Sequence, residues 1–375
     1  MTSSLCSESD PASILSQVRD LDRIPKYQRG PLYGMAIEVK DVMDTKDMPT
    51  QNGSPIYQGY QPSSDSSAVA VLRAAGALIF GSSVACDFFP FNWADLAATG
   101  SSREFAAPTG GIFAMKLTFN AISTEGQKSV TPTFDTIGFF ARSVEDLQLL
   151  ADLFAIQDNE TPQDIHFRKV SVALMKIPIW SLAGLGTVSA MKETATTLRY
   201  RGIKVKEASF PPKVANVEAL KQIQKPITLA EAQPSFLIGD YWLDKTKLAT
   251  KIREIVENTS NCTRTERMEA LDRYSDMRHI INELAANYTA IIAPSAVDEA
   301  PMGLRYMGCA CFNTMWTANQ GFHMPVVNVP TFIGVYGMPV GLALVGPRFH
   351  DQRLLQICKA LSKVLVTNGG SNVRN

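Results

Sequence analysis

The stretches "GMAIEVKDVMD", Gly34 to Asp44, and "SSDSSAVAVLRAAGALIFG", Ser63 to Gly81, decide the fold. The first reads as a strand, Met35 to Val39, that runs into a charged turn. The second opens on a Ser/Asp cluster suited to cap a helix, carries apolar residues at helical spacing, and stops at Gly76 before a strand, Ala77 to Phe80. Strand, helix, strand is the signature of an α/β protein.

The pattern recurs further along. A strand at Val170 to Leu174 precedes a helix at about Thr187 to Arg201, a Gly202 stop and a strand at Ile203 to Val205. A long helical pattern from Glu266 to Asn287 feeds a strand at Tyr288 to Ala293. Ser143-Val144-Glu145-Asp146, ahead of Leu147, Leu150 and Leu153, resembles a capping box that opens another helix. One sheet with helices on its faces accounts for these elements. Residues 1–29 read as a polar N-terminal arm with an amphipathic piece at Ile14 to Leu21. No repeat or linker divides the rest, so residues 30–375 are expected to form a single large domain with a frayed "TNGGSNVRN" tail.

Composition narrows the function. Lys plus Arg and Asp plus Glu both number 36, a formal charge of +0, so no global field draws the chain to nucleic acid or an anionic membrane. A small neutral partner fits better, and nothing in the sequence speaks against a homodimer. Cys6, Cys86, Cys262, Cys309, Cys311 and Cys358 are scattered without a CxxC pair, as reduced thiols of a cytosolic protein would be. Cys309 and Cys311 read as two small hydrophobes on one face of a strand. His166, His279, His323 and His350 lie far apart, so no metal is expected, and no cofactor. The longest apolar runs are strand-sized and the N-terminus has no basic region followed by an apolar one, which points to a soluble, cytoplasmic protein.

Five ordered phrases carry a resemblance: "GPLYGMAIEVKDVMDTKDMPTQNGS", "DSSAVAVLRAAGALIFGSS", "ATGSSREFAAPTGGIFAMKLT", "DTIGFFARSVEDLQLLADLF" and "GMPVGLALVGPRFHDQRLL". Together they resemble the amidase signature family from Gly30 to Leu355. The resemblance implies a mixed central β-sheet with helices on both faces, and hydrolysis of a small carboxamide by a Ser-Ser-Lys triad. The "VKD" phrase gives Lys40 as the catalytic lysine, and the turn Gly100-Ser101-Ser102-Arg103 gives Ser101 as the nucleophile, with Ala98, Thr99 and Gly100 as the oxyanion region. A serine hydroxyl needs a base to take its proton. A lysine serves only when neutral, and moving its pKa from about 10.4 to about 7 costs roughly 4–5 kcal/mol. Taken alone, Lys40 reads as a surface residue paired with Asp41 or Asp44, and Ser101 as a turn or helix cap. Arg103 is expected to hold the turn by pairing with a buried carboxylate.

The pattern then breaks. The family's Gly- and Ser-rich segment, which provides the middle, proton-relaying serine, has no counterpart between "GSSVACDFFPFN" and "WADLAATGSSRE". Ser102, Ser82, Ser83 or a water stands as a replacement, or Lys40 acts on Ser101 directly. Losing an oxyanion donor typically costs about a hundred- to thousand-fold in rate, so an impaired enzyme, or an inactive relative that binds a metabolite or partner, is the competing expectation. Phe88, Phe89, Phe91 and Trp93 read as core packing, a pocket wall or an exposed patch. Asp135 either orients the serine turn or caps its own. "TANQGFHMPVVNVP" resembles the family's pocket-lining segment, which makes Trp316, Phe322 and Met324 candidate substrate contacts, with core packing as the alternative.

Overall fold

A computed structural model describes residues 6–8, 11–83, 111–160, 165–302, 311–312, 316 and 322–368. The chain forms two compact units, each assembled from several segments: Met1–Asn92, Ile122–Val130 and Glu231–Asn261 in the first, and Trp93–Ala121, Thr131–Ala230 and Cys262–Asn375 in the second.

The first unit holds a sheet of three strands, β1 (Cys6–Glu8), β2 (Ala36–Lys40) and β3 (Leu78–Ser83), in the order β1-β3-β2. Strands β2 and β3 run parallel, joined by helix α2 (Ser67–Ala74). Helix α1 (Pro11–Asp22) precedes them. The α2 helix buries Ala68, Val69 and Leu72, an i, i+1, i+4 stripe. It ends where expected: Gly76 sits at φ +90, and a Cβ there would meet the Tyr33 backbone at 3.0 Å.

The second unit holds a seven-stranded mixed sheet, β5-β4-β9-β10-β8-β6-β7, built from β4 (Phe113–Lys116), β5 (Gly138–Ala141), β6 (Ser171–Met175), β7 (Lys204–Ala208), β8 (Ala290–Pro294), β9 (Val326–Ile333) and β10 (Pro339–Val345). Only β8-β6 and β6-β7 are parallel; the remaining pairs are antiparallel. The mixed central sheet with helices on both faces is as expected; among the described residues the early strand-helix-strand unit adds a smaller sheet, in which β3 pairs with β1 and β2.

Helices cover both faces of the large sheet. On one, Ala173, Met175, Ile291, Ala293, Ala343 and Val345 pack with Leu220, Ile223 and Ile227 of α5 (Val217–Phe236) and with Ala270, Tyr274, Met277, Ile281 and Ala285 of α7 (Arg264–Ala286). The period-2 alternation along β10 turns Leu342 and Leu344 to the other face, where α4 (Leu185–Tyr200) and α8 (Asp351–Asn368) lie. Each such fully buried Leu, Ile or Val stabilises the fold by about 1.5–3 kcal/mol. Ser143 caps α3 (Val144–Leu153) by accepting the Asp146 N–H, while the reciprocal capping box is formed at Thr263 and Glu266, at the start of α7. A short helix, α6 (Thr250–Val256), belongs to the first unit. No helix among the described residues is long and apolar enough to cross a membrane. Among the described residues Cys262, Cys311 and Cys358 are not joined in disulfides.

Candidate active site

Lys40 is the last residue of β2, half-buried, at the point where the strand turns. Its carbonyl accepts the Met43 N–H at 2.9 Å, which closes the turn. Strands β2 and β3 start in register with Ile37 opposite Ile79, but a bulge at Phe80 shifts the pairing by one. Lys40 therefore stands opposite Ser83 rather than Ser82. The next residue fixes the loop that follows. Asp41 is buried, and its carboxylate accepts the N–H of Gln51 at 2.7 Å and of Gly53 at 3.2 Å. Its carbonyl also takes the Asn52 N–H at 2.9 Å. Burial pushes the Asp41 carboxyl pKa up, and the two backbone bonds pull it back. Asp44 is likewise pushed up by burial.

Beside this loop lies a charged cluster. Backbone bonds join Lys128 N–H to the Val42 carbonyl at 2.9 Å and Asp44 N–H to Gly126 at 2.8 Å, so the 126–128 segment lines the turn after Lys40. The Lys128 ammonium then donates to Asp240 Oδ2 at 2.6 Å and to the Tyr57 hydroxyl at 2.9 Å. It lies over the rings of Tyr57 and Phe236. Tyr57 donates its own hydroxyl proton to the Gly239 carbonyl at 3.2 Å. Asp240 belongs to a π-helical turn, Leu237–Tyr241, and burial pushes its pKa up against the opposing pull of Lys128.

The second unit carries a different constellation. His323 is buried at φ +60. Its Nε2–H donates to the Thr133 carbonyl at 2.8 Å, while Nδ1 accepts from Arg278 Nη1 at 2.8 Å. The ring stacks on Phe119, with centroids 4.0 Å apart, and meets the edge of Tyr274. Both nitrogens are thus committed in the neutral tautomer. Burial, helped by the nearby Arg278, Lys116 and Arg348 charges, pushes its pKa down to about 3. Arg348 is pushed down by burial and by Arg278. Among the described residues neither guanidinium meets a carboxylate, a pairing chemically suited to an anionic group. Close by, buried Lys116 donates to the carbonyls of Leu117 and Met324, and Thr118 holds Asp351 through both N–H, at 2.8 Å, and Oγ1–H, at 2.6 Å.

The candidates named from sequence fall as follows. Ser101, Ala98, Thr99 and Gly100 lie outside the described residues, as do Ser102, Arg103, Phe88, Phe89, Phe91, Trp93 and Cys309. Trp316, Phe322 and Met324 are fully buried in one core cluster, with Trp316 tilted against Phe210 at 5.1 Å and its indole N–H without a hydrogen-bond partner among the described residues. Asp135 is buried and accepts the Thr131 N–H at 3.0 Å. His279 is exposed and pairs with Glu283 one helical turn on. Sequence reasoning misses the Lys128, Asp240 and Tyr57 cluster and the His323 and Arg278 pair. For Arg278 a signal exists, since it follows the buried Tyr274 by four residues along α7.

A model of the family described as Amidase matches residues 4–103 and 97–355. The two matches meet at residues 97–103, in the approach to Ser101. The chain is 27% identical over 252 residues to a glutamyl-tRNA(Gln) amidotransferase subunit of Lysinibacillus sphaericus, covering 57% of this chain and 50% of that protein. It therefore spans about half the length of that relative. To the chloroplastic/mitochondrial counterpart of that amidotransferase subunit in Oryza sativa subsp. indica it is 24% identical over 427 residues, covering 88% and 76% of the two chains. That alignment is longer than the 375-residue chain itself, so the relative has residues within it that this chain lacks. A solved amidase structure superposes with a TM-score of 0.78 at 20% identity, covering 96% of this chain and 92% of that one.

Proposed function

Because the chain belongs to the amidase family, we propose that it hydrolyses the C–N bond of a small carboxamide through an acyl-enzyme on Ser101, with Lys40 as the base. The Ser101 Oγ attacks the amide carbonyl carbon while its proton passes to a neutral Lys40 Nζ, directly or through a water or hydroxyl. The tetrahedral intermediate collapses, the C–N bond breaks, and the proton is returned to the departing amine. Water then releases the carboxylic acid and regenerates Ser101. The observation that carries this reading is Lys40 itself, set at the end of β2 in a turn pinned by the buried Asp41 carboxylate. The setting proposed is the cytosol, and the turnover is slow because no Gly/Ser-rich segment provides a relay serine.

That absence favours one alternative, a repurposed relative that binds a metabolite or partner without turnover. A fluorophosphonate probe separates the two. Labelling of Ser101 that rises with pH and disappears in Ser101→Ala and Lys40→Met supports the hydrolase; no labelling at any pH supports the binding protein.

A further inference from the structure

We propose that Arg278 and Arg348, in the second unit, form a binding site for an oxyanion, a carboxylate or phosphate group. Neither Lys40 nor Ser101 is a member of it, so the site exists whether or not the chain hydrolyses an amide. Two segments are tied together here. The Arg348 N–H donates to Asn282 Oδ1 at 2.9 Å, and Asn282 follows Arg278 by one turn of α7. Phe349 N–H donates to Thr118 Oγ1 at 3.1 Å, and His350 Nδ1–H to the Arg348 carbonyl at 2.9 Å, which fixes the chain after β10 around Arg348.

Both guanidiniums are half-buried and carry donors that the fold does not use. A guanidinium offers N–H groups in a rigid fork, has no acceptor and stays charged. Arg278 directs Nη1 to His323 Nδ1 at 2.8 Å and Nη2 to Ser275 Oγ at 3.3 Å, with its carbon 5.0 Å from the centre of the Tyr274 ring. Its Nε is buried without a hydrogen-bond partner among the described residues, and so is Arg348 Nε. The Arg348 guanidinium lies 5.0 Å from the centre of the Phe349 ring. His323 acts as a positioning residue. Its Nε2–H is committed to the Thr133 carbonyl and its ring is stacked on Phe119, so it aims Arg278 and has no N–H left for a ligand.

Charge selects the ligand. Arg278 is near enough to push the Arg348 pKa down, and Arg278, Lys116 and Arg348 all push His323 the same way. Three cations therefore stand around a neutral imidazole. Carboxylates close to the pair in sequence are engaged elsewhere among the described residues. Asp351 accepts the Thr118 N–H and Oγ1–H, Glu283 meets His279 at 3.1 Å, and Asp276 lines a groove with Lys213 and Arg273 on another face of α7. Like charges held together in a half-buried place repel one another. An oxyanion that accepts from both forks removes the repulsion and fills the unused donors, which a neutral ligand cannot do.

Isothermal titration calorimetry of the full chain with inorganic phosphate and with succinate, at constant ionic strength in chloride, tests this. Saturable binding is expected, and the tighter of the two probes tells a phosphate site from a carboxylate site. Arg278→Gln and Arg348→Gln should each weaken it by about tenfold or more, through the loss of charge-assisted hydrogen bonds. Arg348→Lys keeps the charge without the fork and should weaken it less, which keeps the test valid if a glutamine disturbs folding. Arg273→Gln, at an exposed position on another face of α7, should leave binding unchanged. Thermal unfolding gives a second reading. Without either probe Arg348→Gln should be at least as stable as the wild type, since a repulsion is relieved, and the probes should raise the transition of the wild type more than that of the variant. A wild-type chain that binds neither probe saturably, or binding that survives both glutamine variants unchanged, overturns the proposal.

Discussion

The Lys128 ammonium and the Asp240 carboxylate, 112 residues apart in sequence, meet at 2.6 Å with only 15% and 2% of their side chains exposed. Such a pair is costly to bury and costlier to break, since removing one member strands the other charge. Asp240→Asn should therefore destabilise the protein by about 3–5 kcal/mol. Adding Lys128→Met should return a large part of that loss, because the stranded ammonium is removed and its methylenes are replaced. Urea unfolding of the two single variants and the double one gives the coupling directly. A double variant as unstable as the sum of the singles would show that the pair carries no such penalty.

His323 predicts an acid limb in stability. Its folded pKa, about 3, lies below the ordinary value near 6.5, so the unfolded chain binds the extra proton first. The contribution is fully present above about pH 6.5 and is lost progressively as pH falls toward 3, with a total on the order of 3–5 kcal/mol. His323→Asn tolerates the positive φ and has no such titration. Denaturant midpoints at pH 7.5 and pH 4.5 should fall further for the wild type than for this variant; equal falls would remove His323 from the account.

Asp41→Ala leaves the half-buried N–H groups of Gln51 and Gly53 without their acceptor, at a cost of about 1–3 kcal/mol. The change sits next to Lys40, so we expect fluorophosphonate labelling of Ser101 to slow as well, and Asp41→Asn, which keeps one acceptor oxygen, to lose less on both counts. A variant that is destabilised yet labels at the wild-type rate would separate the loop from the chemistry.

What can be read from sequence is local. The strand expected at Met35 to Val39, the Gly76 and Gly202 stops and the long helix before β8 all follow from spacing within a few residues, and the structure places them within a few residues of expectation, the strand at Ala36–Lys40. The division into two sheets cannot be read in that way, because it depends on which distant strand β3 meets. Nor can the Lys128 cluster be found. A lysine and an aspartate far apart carry no periodicity, and a π-helical turn has no sequence signature to mark Asp240. His323 is hidden for another reason: a positive φ shows in glycine-rich turns, whereas here tertiary contacts impose it on a histidine. The Ser143 cap is visible, but half of the expected box is missing, since the acidic residue at Asp146 offers its backbone and not its side chain.

The first unit's three segments also set an order of events during synthesis. Strand β2 can pair with β3 once residue 83 has left the ribosome, yet Tyr57 must wait for Gly239, 182 residues later, and Lys128 for Asp240. At about 5–20 residues per second, the nascent chain holds the Lys40 strand in a half-finished unit for several seconds or more. The residue proposed as the catalytic base is thus set early in its strand and late in its surroundings, and a chain cut short of Asn261 would carry Lys40 without the walls of its own unit.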